Sequence, residues 1–466
     1  MTLKACEGLL LGLLLMFLES FDRTWKSRLL PRRRPLDRIR KRERGQTIFL
    51  VVVALVVVLG MAALAVDVTF FYVAHSQAQK AADAAALAGA KAFVTSGFTS
   101  WQLGDPASGG AQALVCNGTN GLADAQAKAA ANQNKIAGVP AATVTTTCNF
   151  AAGNPQITVT LGRNNLPIFF GRVWSRAAVQ VSATAKAEAY NPSGQSVPIA
   201  VGSVKPWLVT NCDVPPLGNC HFLDPANNYA IVNTPLLVGT TIRLQQFQLN
   251  GALPVALLPG VLSTFFPLIT TLNPTPASCP SSSAPSCGTV NSGGPGYFET
   301  VACANSVRLQ CGPAAPQGVS AYTLVAPPTD QATLCLTHAD DFGANRGQDV
   351  FNSLGPGFPE TIEGGFNNPN SSLRGALNIS RSDSVVTVPL WDGSLNPLCL
   401  LGVCPINIIG FMQLGITQVT KPTVGGISVV VVEAVVLNLS GCGAATGGGT
   451  VVAGGGVSPV PVRLVQ

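Results

Sequence analysis

Cysteines are the residues whose spacing most clearly indicates chemistry in this chain. There are 13 of them, and all but Cys6 lie after an apolar run at residues 48–66. An even number of cysteines on one side of such a run is typical of disulfide bonds in an oxidising compartment. Zinc binding is disfavoured because there is no C-x-x-C motif and only His221 lies beside a cysteine. Short spacings instead predict four local disulfides: Cys212–Cys220, Cys279–Cys287, Cys303–Cys311 and Cys399–Cys404.

One acidic segment has the residue types of a cation site. Asp341, Asn345 and Asp349 offer oxygen ligands at four-residue spacing in a Gly-containing loop, a set that suits Ca²⁺. The spacing does not match an EF-hand, so solvated loop carboxylates are the favoured interpretation and no metal site is predicted. Nearby His338 could pair with Asp340 or Asp341.

The motifs of common enzyme classes are absent from the sequence. The three histidines are far apart, and neither H-E-x-x-H nor G-x-S-x-G occurs. The Gly-rich stretch 441–456 lacks the G-x-x-x-x-G-K-[ST] pattern of a phosphate loop. We therefore predict a protein that is not an enzyme and has no cofactor, with a hydrolase built from scattered residues as an alternative.

A long N-terminal helix must position everything that follows. Residues 32–44 carry eight Lys or Arg, and residues 48–66 are uncharged and apolar. As a helix, the apolar run would span roughly 28 Å, close to the ~30 Å hydrocarbon core of a bilayer. Because basic residues stay on the cytoplasmic side, residues 1–45 are predicted to be a cytoplasmic tail and residues 46–66 a transmembrane helix. The predicted protein is single-pass in the cell membrane, with its C-terminal region periplasmic or extracellular.

A cleaved signal peptide is the alternative to this anchor, because Ala63-Leu64-Ala65 resembles a processing site. The length of the run and the lack of a polar region before the alanines favour a retained helix. The net charge of +6 does not indicate nucleic-acid binding, since 12 of the 28 basic side chains lie in residues 1–45. No aromatic residue interleaves the basic block, and a membrane span follows it, so no nucleic-acid partner is predicted.

The predicted helix continues beyond the apolar run to about Phe93. Asp67 should mark the outer interface, because a charge inside hydrocarbon is unfavourable. Phe70, Phe71 and Tyr72 would form an aromatic collar there. Small side chains then recur at three- and four-residue spacing and predict a seam that another helix or a sheet could approach closely. We predict that this seam faces a partner; it consists of Ala74, Ala78, Ala81, Ala85 and Ala88.

Three motifs in this region occur in a distinctive order: Arg44-Gly45-Gln46, Leu64-Ala65-Val66-Asp67, and the stretch QKAADAAALAGA at residues 79–90. Together they resemble the N-terminal segment of TadG-like Flp pilus-assembly proteins. The resemblance implies a single-pass envelope protein that works with other Tad pilus-assembly proteins, and it does not imply catalysis. Related pilins carry Glu five residues after a Gly cleavage site; counted from Gly45, the fifth residue here is Leu50.

The remaining chain predicts an α+β protein. Residues 67–190 are expected to form the extended helix and a small pilin-like α+β domain, with a polar linker at 94–120 and a helix at 123–137. Strands are predicted at 157–161 and 177–189, and residues 166–174 should plug the sheet. Residues 191–466 should form a disulfide-clipped, mainly β, sandwich-like domain whose clearest strands are 231–238, 384–390, 408–419 and 427–439.

Three functional hypotheses follow. The first is a structural role in Flp/Tad pilus assembly or surface attachment. The second is an anchored or secreted binding protein such as an adhesin, and the third, less favoured, is an envelope hydrolase.

Overall fold

The computed structural model describes most of the chain after residue 42. The described ranges are 43–100, 108–150, 154–170, 179–191, 199–212, 220–227, 229–232, 237–250, 253–270, 287, 297–303, 308–311, 317–321, 328–340, 347–355, 358–392, 403–442, 452–453 and 458–465. The predicted tail up to residue 42 lies outside them, as do Cys279, Asp341, Asn345 and Cys399. The described residues fall into two compact units, one with residues 43–68 and 169–170 and the other with the rest.

Five helices are present in the described residues: α1 (Glu43–Thr95), α2 (Ser108–Val115), α3 (Leu122–Gln133), α4 (Tyr297–Ala302) and α5 (Thr329–Thr337). The 53 residues of α1 contain no proline and are rich in alanine, so nothing interrupts its backbone hydrogen bonds. Its start at Glu43 lies inside the segment predicted to be a tail. The segment 94–120, predicted to be a linker, contains α2, so that prediction was wrong there.

The described residues also form 23 strands. They are β1 (Thr143–Asn149), β2 (Gln156–Leu166), β3 (Val179–Ala189), β4 (Ile199–Gly202), β5 (Trp207–Thr210), β6 (Leu223–Asp224), β7 (Ala230–Ile231), β8 (Thr241–Gln246), β9 (Leu249–Asn250), β10 (Leu253–Pro254), β11 (Ser263–Thr270), β12 (Arg308–Cys311), β13 (Gln317–Ala321), β14 (Val350–Asn352), β15 (Thr361–Glu363), β16 (Val385–Trp391), β17 (Val403–Ile406), β18 (Ile408–Thr420), β19 (Thr423–Val424), β20 (Ile427–Ser428), β21 (Val431–Gly441), β22 (Val452–Ala453) and β23 (Val462–Val465). The predicted α+β class with a mainly β C-terminal region is confirmed.

A four-stranded antiparallel sheet, in the order β1-β2-β3-β23, packs with the second half of α1. Along β2 the side chains of Ile157, Val159 and Leu161 are buried, whereas the intervening threonines are partly or fully exposed. This alternation is the signature of a sheet with one covered face. The last strand comes from residues 462–465, so the end of the described chain completes the first sheet.

Asp124 organises the turn that leads into α3. Its carboxylate accepts hydrogen bonds from the backbone N–H groups of Asn117, Gly118 and Gly121 at 2.8, 3.0 and 3.1 Å, and from the Thr146 hydroxyl. The side chain is completely buried. These partners satisfy the donors at the helix start and fix α3 against β1.

Six strands of the larger sheet pair in a closed ring: β11, β5, β16, β18, β21 and β8, with β8 pairing back to β11. Closure occurs because Phe265 in β11 pairs with Val209 in β5 and also with Gln246 in β8. The six strands thus form a barrel, and this ring closure is a feature that the sandwich-like prediction did not include. A ring of pairings leaves fewer exposed strand edges than two open sheets would.

Two of the four strands predicted for this region need correction. Within residues 231–238, the described residues form only the end of β7. The predicted strand 427–439 divides into β20 and β21. β20 pairs with β19 in a tight hairpin, in which Gly425 and Gly426 adopt positive φ (58° and 84°), whereas β21 pairs with β18 and β8. The strands predicted at 384–390 and 408–419 are present as β16 and β18.

Candidate functional site

The first half of α1 presents an uninterrupted apolar surface. Its large apolar side chains between Ile48 and Val66 are 43 to 69% exposed. A contiguous apolar surface of this size is unfavourable in water and marks a membrane or protein interaction site. Among the described residues, α1 is the one helix that is long and apolar enough to cross a membrane.

Asp67 directly follows this apolar surface and accepts hydrogen bonds from a turn that is distant in sequence. Its carboxylate accepts hydrogen bonds from the backbone N–H of Phe169 at 3.0 Å (Oδ1) and of Phe170 at 3.1 Å (Oδ2). Asp67 is only 5% exposed, whereas the two phenylalanine side chains are 55 and 48% exposed. The predicted plug over the sheet was therefore wrong for Phe169 and Phe170; residues 171–174 lie outside the described ranges.

The alanine seam in the second half of α1 is part of the protein's own core. Ala74 is 1% exposed, and Ala78, Ala81 and Ala85 are fully buried. They pack in one cluster with the covered face of the four-stranded sheet and with the alanines of α3. The prediction that this seam faces a partner was wrong for these four residues; Ala88 is only half-buried.

Gly89 shows how closely α1 approaches its neighbours. A Cβ atom added there would lie 2.6 Å from Ile157 Cδ1 and 3.3 Å from both Ala123 O and Ala127 Cβ. The first of these distances is shorter than non-bonded carbon–carbon contacts in proteins, so an added methyl group would require the Ile157 side chain to shift. Small residues in this stretch therefore allow α1 to lie directly on β2 and α3.

Polar residues of the same stretch also serve contacts within the fold. Gln77 Oε1 accepts a hydrogen bond from the backbone N–H of Ala137 at 2.7 Å. Gln79 Nε2 donates to Asp83 Oδ1 at 2.8 Å and more weakly to Thr184 O at 3.4 Å. His75 is exposed, as expected for a solvated helix face.

Residues 45–92 match the family model described as Putative Flp pilus-assembly TadE/G-like. The match confirms the resemblance seen in the motifs, and we call residues 45–92 the Tad segment. The comparison with curated proteins gives no match, and neither does the comparison with solved structures. The Tad segment lies wholly within α1, so the similarity covers the apolar surface and the helical core but not the barrel.

The C-terminal end of α1, just beyond the Tad segment, is joined to the barrel by a buried amide. Asn438 in β21 donates to Val94 O at 2.5 Å and to Gln413 Oε1 at 2.7 Å, and it accepts from the Thr99 hydroxyl. Gly97 adopts a positive φ of 76°, and a Cβ atom there would lie 2.5 Å from Leu437 O. The helix thus ends in a left-handed glycine pressed against the barrel wall.

Asn191 adds a second link between the same elements. Its side-chain amide donates to Thr99 O and to Leu439 O, both at 3.2 Å. Asn191 opens the segment that the sequence marks as a domain boundary. The helix end, the boundary residue and β21 are therefore held by shared hydrogen bonds, and the division at residue 190 stays a prediction.

The predicted cation ligands are only partly described. Asp349 is 5% exposed and accepts hydrogen bonds from Gly365 N at 2.8 Å and from Asn368 Nδ2 at 3.0 Å. Its carboxylate is thus committed to fixing the 365–368 turn. No cluster of three or more His, Cys, Asp or Glu side chains able to hold a metal occurs among the described residues.

His338 and Lys205 are the buried titratable groups that most resemble catalytic residues. His338 Nε2 contacts Asp383 Oδ2 at 2.9 Å and not Asp340, whose Oδ1 accepts a hydrogen bond from Asn367 Nδ2; Asp341 lies outside the described residues. Lys205 Nζ donates to Val301 O at 2.6 Å and Cys303 O at 2.9 Å, at the C-terminal end of α4. Burial lowers the pKa of Lys205 to about 7. Lys205 therefore stabilises the C-terminal end of α4, because a donor complements the free carbonyls of a helix end.

The disulfides differ from the predicted local pattern. The structure pairs Cys212 with Cys220, as the spacing predicts, and adds a bond between Cys116 and Cys148. The pairs Cys279–Cys287 and Cys303–Cys311 were wrong, since the bonds are Cys287–Cys335 and Cys311–Cys442. Cys303 is also disulfide-bonded. The pair Cys399–Cys404 stays a prediction.

Proposed function

We propose that this chain is a single-pass membrane protein with a structural role in Flp/Tad pilus assembly. The observation that carries the proposal is that the Tad segment is one continuous helix, whose first half exposes only apolar side chains at residues 48–66 and whose second half is the core of a folded domain. Such a helix would anchor the folded part in a membrane. The family similarity supports a structural role and not an enzymatic one.

The proposed orientation places the basic tail in the cytoplasm and the barrel in the periplasm or outside the cell. Eight Lys or Arg at residues 32–44 support this orientation through the positive-inside rule. The disulfides of the folded part support it independently, because such bonds persist in oxidising compartments. Protease treatment of spheroplasts carrying a tag at either end tests it: the C-terminal tag should be digested and the N-terminal tag protected.

Membrane retention is tested by carbonate extraction of the full chain. The double variant Val53→Arg/Val57→Arg places two charges in the apolar run, each unfavourable by about 3 kcal/mol at a bilayer centre. We expect this variant to lose retention, while the control His75→Arg, which adds a charge at an exposed site beyond the run, is retained. Release of the unmodified chain by carbonate would refute the anchor.

A role in pilus assembly is tested by purifying the full chain from membranes of its own host and identifying companions by mass spectrometry. We expect Flp/Tad pilus-assembly proteins to co-purify, and to be lost with the double arginine variant. The alternative of an anchored or secreted binding protein predicts that the protein is retained in membranes or released from the cell without these companions. Recovery of folded, membrane-retained protein alone would therefore favour that alternative.

A further inference from the structure

The turn at Phe169 and Phe170 carries two large apolar side chains that the fold does not bury. They are 55 and 48% exposed, although the residue that opens this stretch, Leu166 at the end of β2, is 3% exposed. Two adjacent half-exposed phenylalanines form an apolar patch, and such patches mark interaction sites. Their position in the sequence does not explain this exposure, since they lie a hundred residues beyond the apolar run.

Asp67 fixes where this turn sits. The carboxylate receives one backbone hydrogen bond from each phenylalanine, at 3.0 and 3.1 Å, and is itself 5% exposed. Two charge-assisted hydrogen bonds from consecutive N–H groups hold a turn in one orientation. Asp67 directly follows Val66, the last residue of the exposed apolar run. The turn is therefore held at the level where that run ends.

The distances are short on the scale of a bilayer. The interfacial layer on each side of the ~30 Å hydrocarbon core is roughly 5–8 Å thick. One turn of helix rises about 5.4 Å, so backbone atoms bonded to Asp67 lie within about one turn of the end of the apolar run. Aromatic side chains at that depth are typical of the membrane interface.

We propose that Phe169 and Phe170 form a second membrane contact, inserted into the interfacial layer of the phospholipid bilayer and positioned there by Asp67. This inference rests on the proposed function, because it requires residues 48–66 to span the membrane. The occupant of the exposed aromatic surface is lipid, since the surface continues the lipid-facing side of α1 and is held to it by hydrogen bonds. Asp67 acts as a positioning residue and Phe169 and Phe170 as the membrane-contacting residues.

Photocrosslinking in the full chain tests the proposal. p-Benzoylphenylalanine is introduced at position 169 or 170, the protein is reconstituted in phosphatidylcholine–phosphatidylglycerol vesicles and irradiated, and lipid adducts are identified by peptide mass spectrometry. Val57, in the middle of the apolar run, is the positive control position. Phe366 is the matched negative control, because it is 84% exposed and lies in the other compact unit.

We expect lipid adducts at positions 57, 169 and 170 and none at position 366. Adducts at 57 without adducts at 169 or 170 would overturn the second contact and leave the anchor intact. Absence of adducts at 57 as well would refute the anchor itself. Equal adduct formation at 169 and 366 would show nonspecific collision with vesicles and would also overturn the proposal.

Two substitutions test the positioning role of Asp67 in the protein labelled at position 169. Asp67→Ala removes both acceptors, so we expect loss of the adduct at 169, while the corresponding protein labelled at 57 still reacts and reports correct insertion. Asp67→Asn keeps one acceptor oxygen and should retain the adduct. An adduct at 169 that persists in Asp67→Ala would show that another contact positions the turn.

Discussion

Gly89 gives the sharpest quantitative test of how the Tad segment is packed. A Cβ atom there would meet Ile157 Cδ1 at 2.6 Å, and Ile157 is fully buried, so its terminal methyl cannot swing into solvent. Replacing Gly with Ala in a helix interior stabilises by about 1 kcal/mol through propensity, whereas overpacking a core destabilises by about 1–3 kcal/mol. We expect Gly89→Ala to lower the free energy of unfolding by about 1 kcal/mol overall.

The matched control is Gly110→Ala in α2, where nothing lies within 4 Å of the added Cβ. This change should be neutral or stabilise by up to about 1 kcal/mol. Ile157→Val removes the clashing Cδ1 and alone should destabilise by about 1 kcal/mol. In the Gly89→Ala background the same truncation relieves the clash, so the double-mutant cycle should show a favourable coupling of about 1 kcal/mol.

Pulse proteolysis of the full chain in detergent micelles across a urea series measures these free energies. Two results would refute the packing argument. One is a Gly89→Ala variant that is stabilised as much as Gly110→Ala. The other is strict additivity of Gly89→Ala and Ile157→Val, since additivity is the behaviour of sites that do not touch.

Three further predictions concern the folded part. Burial raises the pKa of Glu360 from 4.5 to about 7, so the folded protein keeps a proton that the unfolded chain has lost, and the free energy of unfolding should fall by up to about 3 kcal/mol as the pH rises through this window. Glu360→Gln should abolish that fall in thermal melts at about pH 5 and about pH 8, and an unchanged fall would exclude Glu360 as its source. Asn438→Ala should lower the free energy of unfolding by about 2 kcal/mol, because Val94 O loses its buried donor; in urea denaturation the exposed Asn120→Ala should change little, and equal effects would contradict the link. Cys442→Ser should destabilise more than Cys220→Ser in non-reducing melts, because the two bonds close sequence separations of 131 and 8 residues, or roughly 5 against 2.5 kcal/mol in the chain-entropy model. The reverse order would show that the longer bond does not constrain the unfolded chain.

The elements most readily predicted from sequence are those whose patterns are local. The apolar run and the alanine-rich stretch predict α1 because every residue from Ile48 to Phe93 favours or tolerates a helix and no proline intervenes. The strands β16 and β18 were predictable from runs rich in Val and Ile bounded by turn residues. Their lengths agree with the structure because few residues in these runs could end a strand early.

The packing partner of a segment was harder to predict than its secondary structure. The seam of small residues was correctly interpreted as a surface for close approach, but sequence does not tell whether the approaching element belongs to the same chain.

The predictions of disulfide pairs failed for a related reason. Cys311 ends β12 and Cys442 follows β21, and only the fold brings these distant positions together. Nearest-neighbour spacing identifies a bond only where the loop folds on itself, as at Cys212 and Cys220.

Barrel closure could not be predicted because it depends on one short pairing. Three residues of β11 pair with β8, and without them the same strands would form an open sheet. Asn438 carries a weak signal in the sequence: it is a polar residue inside the apolar run 431–439, and a buried amide there requires hydrogen-bond partners. Asp124 carries a comparable signal, because it is a carboxylate in the first turn of an alanine-rich helix whose N-cap is Gly121.

The location of the alanine seam constrains where assembly partners can bind. The protein's own four-stranded sheet covers the buried half of the Tad segment. A partner could bind that half only by displacing the sheet, which would unfold the domain. The residues of α1 that remain available are the exposed apolar ones before Asp67 and exposed side chains such as Tyr72, which is 69% exposed. Any protein that binds α1 must therefore use its apolar first half or these exposed helix residues. Substitutions in the seam should accordingly reduce the amount of folded protein, and any loss of partners they cause would follow from that reduction.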